Sequence, residues 1–356
     1  MHLLRRTLST TTGSVFDAAA SASRRRVRKT ALIFPGQGSQ LVGMGKDVYE
    51  AFPSAKKVID ECEEVLGGGL RELMFDGPSN ELTLTANAQP AILCHSIALL
   101  RVLEEEFGFD VSQSSFALGH SLGEYSALVA TQAISLHEAI KLVRLRGEAM
   151  QNSVGNQKTA MRALVVNKGH LEDVEALMDK VAVIIPEGEI AEIANVNSRS
   201  QVVVSGSAKG VDYACSVIQA RGYAGRSLPL PVSAPFHCSL MVPAADQLRP
   251  HLESTKFSEP VIDVISNITG KPFESPALIP TYLYESIFKT VHWQRSIQYA
   301  RDDFVDEWIV IGPNKVLSNL LKKEFPMDKV RSVSGVKDIE TLGAVMKGEK
   351  WDSFYY

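Results

Sequence analysis

The chain has 356 residues, of which 45% are apolar and 22% charged, the usual balance of a globular protein with one large domain or two. It contains no run of about 20 apolar residues, so we expect no membrane span. Its four cysteines, Cys62, Cys94, Cys215 and Cys238, have neither zinc-finger nor paired spacing, which predicts free buried thiols.

Residues 1–29 differ from the rest in containing seven basic residues and one acidic residue, Asp17, with Ser and Thr between them. This composition is typical of a mitochondrial or plastid transit peptide, and a disordered basic arm that binds anionic partners is the alternative. Removal of this segment leaves 30 basic against 40 acidic residues, a formal charge of −10. So acidic a chain is a poor candidate for binding nucleic acid.

The first predicted strand, Thr30–Phe34, is followed by the glycine-rich loop Pro35–Gln40. Helical periodicity then covers Asp47–Leu66 and Pro90–Phe107, and a proline suits the first turn of a helix. The pattern continues with an apolar run at Phe116–Leu118, a turn at Gly119–Gly123, and helical stretches that end at Ala130 and cover Leu136–Gln151.

The middle of the chain has the order β-α-β-β-α-β of a ferredoxin-like unit. Its predicted elements are Thr159–Val166, Leu171–Val181, Ala191–Val196, Gln201–Ser207, Gly210–Arg221 and Ala224–Leu230. A helix from Pro243, a strand at Val261–Ser266 and a strand-turn-helix at Trp308–Lys323 follow. We therefore predict an α/β core over residues 30–154 and 231–340, an inserted ferredoxin-like subdomain over 155–230, and a peripheral tail over 341–356.

The segment Gly119-His-Ser-Leu-Gly123 matches the pattern G-x-S-x-G between a predicted strand and a predicted helix. The two glycines permit a tight turn that lifts the hydroxyl of Ser121 out of the sheet. The helix that follows offers free N–H groups to an oxyanion. Ser121 is therefore a candidate nucleophile, and the alternative is an ordinary turn serine.

A serine nucleophile needs a base, and the best candidate is His237 in the proline-rich loop 231–237. We expect His120, on the same turn as Ser121, to point away from it. The other histidines beyond residue 29 and before His292 lie in or beside predicted helices: His95, His137, His170 and His251. A surface or structural role remains the alternative for His237.

The glycine-rich first loop is not a phosphate-binding loop of either common kind. Gln40 stands where a Walker A loop needs its first glycine, and Leu41 occupies the last glycine position of G-x-G-x-x-G. A turn at the carboxyl end of a strand can still bring Gln37 into a crevice.

Arg146 lies near the apolar face of its predicted helix, four residues after Leu142 and four before Met150. A guanidinium group on an apolar face needs an anion. The anion is either part of a ligand or an internal carboxylate, unless the side chain extends to solvent.

These motifs together resemble those of the malonyl-CoA:acyl carrier protein transacylases, from about Leu32 to about Lys323. The matching segments are Phe34–Gln40, Gln89-Pro90, Gly119–Leu128, Arg146-Gly147, Asn197-Ser198, Leu228–Ser233, Phe236-His237 and Gly312-Pro313. With its basic leader, the chain is similar to the mitochondrial form of that enzyme.

The resemblance implies an α/β-hydrolase-like larger subdomain with a defined set of site residues. Ser121 would be the acylated nucleophile and His237 its general base, oriented by the backbone carbonyl of His292. The side chain of Gln37 and the backbone N–H of Leu122 would form the oxyanion hole. The resemblance further implies malonyl carboxylate binding by Arg146 and substrate contacts from Gln89, Phe236 and Asn197.

The implied reaction moves a malonyl group from malonyl-CoA to the phosphopantetheine thiol of acyl carrier protein, through a malonyl-serine intermediate. It releases CoA, needs no cofactor or metal, and would supply type II fatty acid synthesis in the mitochondrial matrix; we expect a monomer. The alternatives are a serine thioesterase or hydrolase of the same fold and a non-catalytic module that binds the carrier protein. Because carrier proteins are acidic, docking on this acidic chain requires a confined basic patch, for which the candidates are Lys315, Lys322, Lys323, Arg199 and Arg226.

Overall fold

The computed structural model describes residues 29–155 and 157–347. The predicted leader, apart from Lys29, and residues 348–356 of the predicted tail lie outside the described residues. Lys29 begins the first strand, and its ammonium group lies 2.7 Å from the carboxylate of Asp303. The folded core therefore begins at least one residue before the predicted boundary.

The strands of the described residues form two sheets. In chain order they are β1 (Lys29–Phe34), β2 (Phe116–Gly119), β3 (Thr159–Val166), β4 (Ala191–Ser198), β5 (Gln201–Ser207), β6 (Ala224–Pro229), β7 (Asp263–Ile265), β8 (Val305–Ile311) and β9 (Lys329–Val333). The larger sheet has the order β7-β2-β1-β8-β9 with parallel pairing throughout, and the smaller one has the order β4-β5-β3-β6 with antiparallel pairing.

Helices connect the strands and cover the larger sheet. They are α1 (Lys46–Ala51), α2 (Pro53–Val65), α3 (Leu70–Asp76), α4 (Ser79–Thr83), α5 (Thr85–Phe107), α6 (Gly123–Ala130), α7 (Leu136–Asn152), α8 (Leu171–Ile184), α9 (Ala208–Ala220), α10 (Val242–Ser254), α11 (Ile279–Glu285), α12 (Trp293–Asp302), α13 (Val316–Glu324) and α14 (Val336–Met346). None of the described helices is long and apolar enough to cross a membrane.

The larger sheet is buried on both faces, as parallel sheets are. Side chains alternate along a strand, so Leu32 and Phe34 of β1 join the core formed with α5, α6 and α7. Ala31 and Ile33 face the opposite way, into a second core with α12 and α13. The strand order reverses between β1 and β8, and ligands of such sheets bind beyond the carboxyl ends of the strands at that point.

The smaller sheet uses its two faces differently. Leu164 and Val166 of β3 pack on α8 and α9, whereas Met161 and Ala163 of the same strand join the main core of the larger subdomain. The strand order of this sheet is that of a ferredoxin-like unit. The predicted fold class, an α/β core with an inserted β-α-β-β-α-β subdomain, is confirmed.

Two predicted helix boundaries are wrong, and each involves a proline. Pro53 divides the predicted helix over Asp47–Leu66 into α1 and α2, because the residue before a proline avoids the helical region and Phe52 is extended. Pro90 does not begin a helix; it lies inside α5, which begins at Thr85. Burial of this added turn against α7, where Gly147 allows close approach, outweighs the lost hydrogen bond.

The boundary predicted at residue 340 is also wrong. Helix α14 spans it, and Ile339 and Leu342 are buried in the main core. At least the first residues of the predicted tail therefore belong to the folded protein.

Candidate active site

A cavity of about 550 Å³ lies between the carboxyl edge of the larger sheet and the inner face of the smaller one. Seven of the predicted or considered site residues line it: Gln37, His120, Ser121, Arg146, Asn197, Phe236 and His237. The fold thus brings together residues from both subdomains at the place where its strand order reverses.

Ser121 lies on the turn between β2 and α6 with a φ of 51°, in the left-handed region. The turn packs so closely that a Cβ at Gly119 would lie 1.8 Å from the carbonyl carbon of Gly123. A Cβ at Gly123 would lie 2.1 Å from the carbonyl oxygen of Phe34. Both glycines are therefore required for the turn that places the Ser121 hydroxyl in the cavity.

His237 is placed to act as the base. Its Nε2 lies 2.8 Å from the Oγ of Ser121, and its Nδ1 lies 2.7 Å from the backbone carbonyl oxygen of Ser286. Because a carbonyl oxygen only accepts hydrogen bonds, Nδ1 carries the proton and Nε2 is free to accept one. The hydroxyl of Ser121 therefore donates to His237.

The prediction that the carbonyl of His292 orients the base is wrong, since Ser286 supplies that carbonyl. His292 immediately precedes α12, and its carbonyl oxygen accepts the N–H of Ser296 at 3.0 Å as the helix begins.

The imidazole of His237 is held in its neutral form. Burial, and after it the positive charge of Arg146, lower its pKa from 6.5 to about 3, against the opposing contact with Ser286. The ring is therefore uncharged at neutral pH, the state that a general base requires.

Arg146 is a buried cation, with 2% of its surface exposed. Its Nη1 donates to the Oε1 of Gln89 at 2.8 Å, and its Nη2 donates to the Oγ of Ser121 at 3.2 Å. Among the described residues, no carboxylate forms an ion pair with it, and burial raises the pKa of nearby Glu124 to about 8, so that carboxyl group is protonated at neutral pH. Of the alternatives open in the sequence, an anionic ligand best fits this geometry.

The two predicted oxyanion donors differ in their present contacts. The N–H of Leu122, at the start of α6, has no hydrogen-bond partner among residues 29–155 and 157–347. The side-chain amide of Gln37 donates to the Oγ1 of Thr85 at 3.1 Å. Both residues border the nucleophile, and their role in stabilising an oxyanion stays a prediction.

The predicted substrate contacts are only partly in the cavity. Phe236 and Asn197 line it, whereas Gln89 lies behind Arg146 and holds its guanidinium group. The side chain of His120 contacts Asn197, with its Nε2 2.8 Å from the Oδ1 of that residue, and His120 also lines the cavity. This contact joins the smaller sheet to the nucleophile turn.

Four of the five candidate docking residues lie on or beside α13, whose residues Val316, Leu317 and Leu320 line the cavity. Lys315, Lys322 and Lys323 are exposed there. Arg199 of the smaller subdomain lies 3.3 Å from the carboxylate of Glu324 at the end of the same helix. Arg226 is exposed on β6, at the edge of the smaller sheet.

Three residues that contact the catalytic pair were not predicted: Ser286, Glu124 and Asn267. Glu124 had a usable signal, because a charged residue in a strongly apolar helix is often buried for a reason, as with Arg146. Asn267 and Ser286 had none, since their partners lie 146 and 49 positions away in the chain.

Comparison with known proteins agrees with this geometry. The acyl transferase domain family matches residues 31–354. The malonyl CoA-acyl carrier protein transacylase of Bacillus subtilis (strain 168) is 42% identical over 321 residues, which cover 90% of this chain and 98% of the relative. Among solved structures, the acyl-carrier-protein-S-malonyltransferase from Bartonella henselae has a TM-score of 0.83 at 38% identity, covering 90% of this chain and 99% of that one.

The solved structure of a malonyl-transacylase in complex with its type II PKS acyl-carrier protein is also similar. The TM-score is 0.81 at 37% identity, and the match covers 88% of this chain and 98% of that one.

Proposed function

This chain belongs to the malonyl-CoA–acyl carrier protein transacylase family, and on that premise we propose that it transfers malonyl groups from malonyl-CoA to acyl carrier protein for type II fatty acid synthesis. The observation that carries the proposal is the buried guanidinium of Arg146, 3.2 Å from the nucleophile Ser121 in a cavity of about 550 Å³. A malonyl group ends in a carboxylate, and arginine offers that group two parallel N–H donors.

In the first half-reaction, the Oγ of Ser121 attacks the thioester carbonyl carbon while its proton passes to the Nε2 of His237. The oxyanion of the tetrahedral intermediate accepts hydrogen bonds from the N–H of Leu122 and the side chain of Gln37. The carbon–sulfur bond then breaks, and the proton on His237 passes to the sulfur of CoA. The product is a malonyl ester on Ser121.

The second half-reaction reverses the first with another thiol. The phosphopantetheine sulfur of the carrier protein loses its proton to His237 and attacks the ester carbonyl. The bond to the Oγ of Ser121 breaks and the serine regains its proton. Because one acyl carrier replaces another, atoms and electrons balance with no cofactor or metal.

Intact-mass measurement with malonyl-CoA alone tests the covalent step. The wild-type protein should gain one malonyl group on the peptide that contains Ser121, and Ser121→Ala should gain none. Ser126→Ala is the matched control, since Ser126 is a buried serine of α6 whose hydroxyl has no partner among the described residues. Stoichiometric labelling of Ser121→Ala would place the nucleophile elsewhere.

The choice between transfer and hydrolysis depends on the acceptor. With malonyl-CoA and phosphopantetheinylated carrier protein together, malonyl-carrier protein should form much faster than free malonate. A thioesterase would release malonate at the rate at which CoA appears, whether or not carrier protein is present.

We propose that the carrier protein docks beside α13. Lys322 and Lys323 are exposed on a helix that also lines the cavity, so an acidic carrier bound there would have its thiol near Ser121. The double charge reversal Lys322→Glu/Lys323→Glu should raise the KM for carrier protein about tenfold and reduce its salt dependence. Self-acylation by malonyl-CoA should remain unchanged.

The control for docking is Lys56→Glu/Lys57→Glu on α2, which makes the same change in net charge outside the cavity lining. An equal rise in KM for both double variants would indicate a general charge effect and contradict docking at α13.

We propose that the protein is located in the mitochondrial matrix and that the basic leader directs its import. The support is composition: residues 1–29 hold seven basic residues and one acid, and the family match begins at residue 31. A fluorescent protein fused behind residues 1–29 should enter mitochondria and lose the leader. The same fusion with its seven basic residues changed to Gln should stay outside. Recovery of the uncleaved leader from purified mitochondria would contradict removal.

A further inference from the structure

Asn267 spans the nucleophile turn from the neighbouring strand. It follows β7, which pairs with β2 so that Ile265 lies opposite Leu118. Its Oδ1 accepts the backbone N–H of Ser121 at 2.7 Å, and its Nδ2 donates to the carbonyl oxygen of Gly119 at 2.7 Å. Asn267 is buried, with 1% of its surface exposed, and its side-chain amide bonds to the residues immediately before and after His120.

These two contacts require an amide and no other group of that size. The oxygen must face an N–H and the nitrogen must face a carbonyl, so the orientation of the amide is determined by its partners. A carboxylate could accept from Ser121 but could not donate to Gly119. An aliphatic side chain would leave both buried backbone groups without partners.

The conformation held in this way is one that serine rarely adopts. A left-handed φ is unfavourable at a non-glycine residue and persists only where surrounding contacts determine it. The same bond turns the N–H of Ser121 toward β7, which leaves the N–H of Leu122 as the unpaired donor at the start of α6. The backbone at Ser121 sets where its Oγ lies relative to His237.

Glu124 in turn holds Asn267. The backbone N–H of Asn267 donates to the Oε1 of Glu124 at 3.0 Å, and Glu124 is fully buried in the first turn of α6. Glu124 is three residues after Ser121, so Asn267 is bonded both to the nucleophile turn and to the first turn of the helix that follows it. Its raised pKa leaves the carboxyl group protonated at neutral pH, and the Oε1 can still accept.

We infer that Asn267 is a positioning residue for the reaction proposed above, which clamps the backbone of the nucleophile turn, and that Glu124 positions Asn267. Neither residue lines the cavity, and the hydrogen bonds of the Arg146 guanidinium go to Gln89 and Ser121 instead. Loss of the clamp should therefore slow the attack by Ser121 and leave malonyl-CoA binding largely unchanged.

The test compares Asn267→Ala, the nearly isosteric Asn267→Asp, Glu124→Ala and Glu124→Gln. Asn167→Ala is the matched control, since the amide of Asn167 donates to the carbonyl of Gly222 at 2.8 Å in the smaller subdomain. Two rates are measured per folded molecule: labelling of Ser121 by a fluorophosphonate probe, and single-turnover malonylation over a range of malonyl-CoA concentrations. Thermal unfolding reports the folded fraction.

Both Asn267 variants should lower both rate constants about 10- to 100-fold, the scale expected when a reacting group is displaced. The half-saturating malonyl-CoA concentration should stay within about threefold of the wild-type value. Glu124→Ala should lower them less, and Glu124→Gln should restore them, because its amide oxygen can accept the same N–H. If Asn267→Ala fails to fold, Asn267→Asp decides the outcome.

Three results would overturn the inference. The first is wild-type rate constants in Asn267→Asp, and the second is a rise in the half-saturating malonyl-CoA concentration with unchanged rate constants. The third is an equal loss of rate in Asn167→Ala. If the probe labels the wild-type protein but malonyl-CoA does not react with it, the proposed function is refuted. The probe-labelling rates of the variants would still decide the role of Asn267. A wild-type protein whose Ser121 is not labelled by either reagent would refute both.

Discussion

Ser121 and His237 both adopt left-handed backbone conformations, with φ of 51° and 59°. Such conformations are costly for residues with side chains, and they concentrate at functional sites where packing determines them. Here they bring two atoms within 2.8 Å from positions 116 residues apart. The reactivity of this pair therefore depends on backbone geometry as much as on residue type.

Removal of the Arg146 guanidinium should change substrate preference. Loss of a charge-assisted contact of this kind costs about 2–5 kcal/mol, or roughly 30-fold to several thousand-fold in rate. Arg146→Ala should lose kcat/KM for malonyl-CoA on that scale while it keeps or gains acetyl-CoA turnover. Lys at this position should rescue only partly, because an ammonium group cannot make the paired contact.

Arg144→Ala is the matched control for this prediction, since Arg144 lies on the same helix and donates to Asn87 instead. It should change neither activity. A proportional loss of malonyl and acetyl activity in Arg146→Ala would make Arg146 a structural residue.

The pH dependence should report the lowered pKa of His237. A base that is neutral above about pH 3 in the free protein remains competent far below 6.5, so kcat/KM should show no acid limb near 6.5. Arg146→Ala removes one of the causes of the lowered pKa, so its acid limb should move to higher pH. Acetyl-CoA turnover in brief assays between about pH 4 and 8 measures the pH profiles of the wild type and of Arg146→Ala. Identical acid limbs near pH 6.5 in the two proteins would contradict a base with a lowered pKa at His237.

The nucleophile turn and the helix that follows it form one tightly packed element. A Cβ at Gly119 would lie 1.8 Å from the carbonyl carbon of Gly123, so Gly119→Ala must move α6 away from β2. We expect it to lower the free energy of unfolding by at least about 3 kcal/mol in a urea titration, with loss of activity.

Gly225→Ala on β6 is the control for Gly119→Ala. Its Cβ would meet only the Oδ1 of Asn167, at an ordinary 3.5 Å. The stability of Gly225→Ala should stay within about 0.5 kcal/mol of wild type. A similar loss in both variants would contradict the argument from close packing.

Stability of the whole molecule should fall on acidification, because several buried histidines are held neutral. Burial lowers the pKa of His95 to about 4, and both of its ring nitrogens lack partners among the described residues. Between its folded and unfolded pKa values the unfolded chain binds the extra proton, so stability decreases as pH falls below about 6.5. Glu124 acts in the opposite sense, since its raised pKa removes stability as pH rises from about 4.5 to 8.

His95→Leu should therefore reduce the loss of unfolding free energy between pH 7 and pH 5 by about 2 kcal/mol. Urea titrations at the two pH values measure it. His137→Leu is the control, because His137 is an exposed histidine on α7. An unchanged pH slope in His95→Leu would show that His95 does not contribute to the acid sensitivity.

The sequence alone determined the features that depend on neighbouring residues. The G-x-S-x-G turn and the amphipathic pattern around Arg146 involve positions only a few residues apart. They were sufficient to make Ser121 a candidate nucleophile and to predict that the Arg146 guanidinium needs an anion, and the order of the predicted elements gave the fold class. Their physical basis, tight-turn sterics and side-chain periodicity, is local.

Only the tertiary structure decided the contacts between distant segments. Which carbonyl orients His237, what holds Arg146 and what clamps Ser121 depend on partners 49, 57 and 146 positions away. Those partners are chosen by the order of β7, β2 and β1 in the sheet and by the crossing of α5 and α7. Hydrogen bonds of this kind leave no periodic trace in the sequence, because one amide or carbonyl group at the end of a strand is enough to form them.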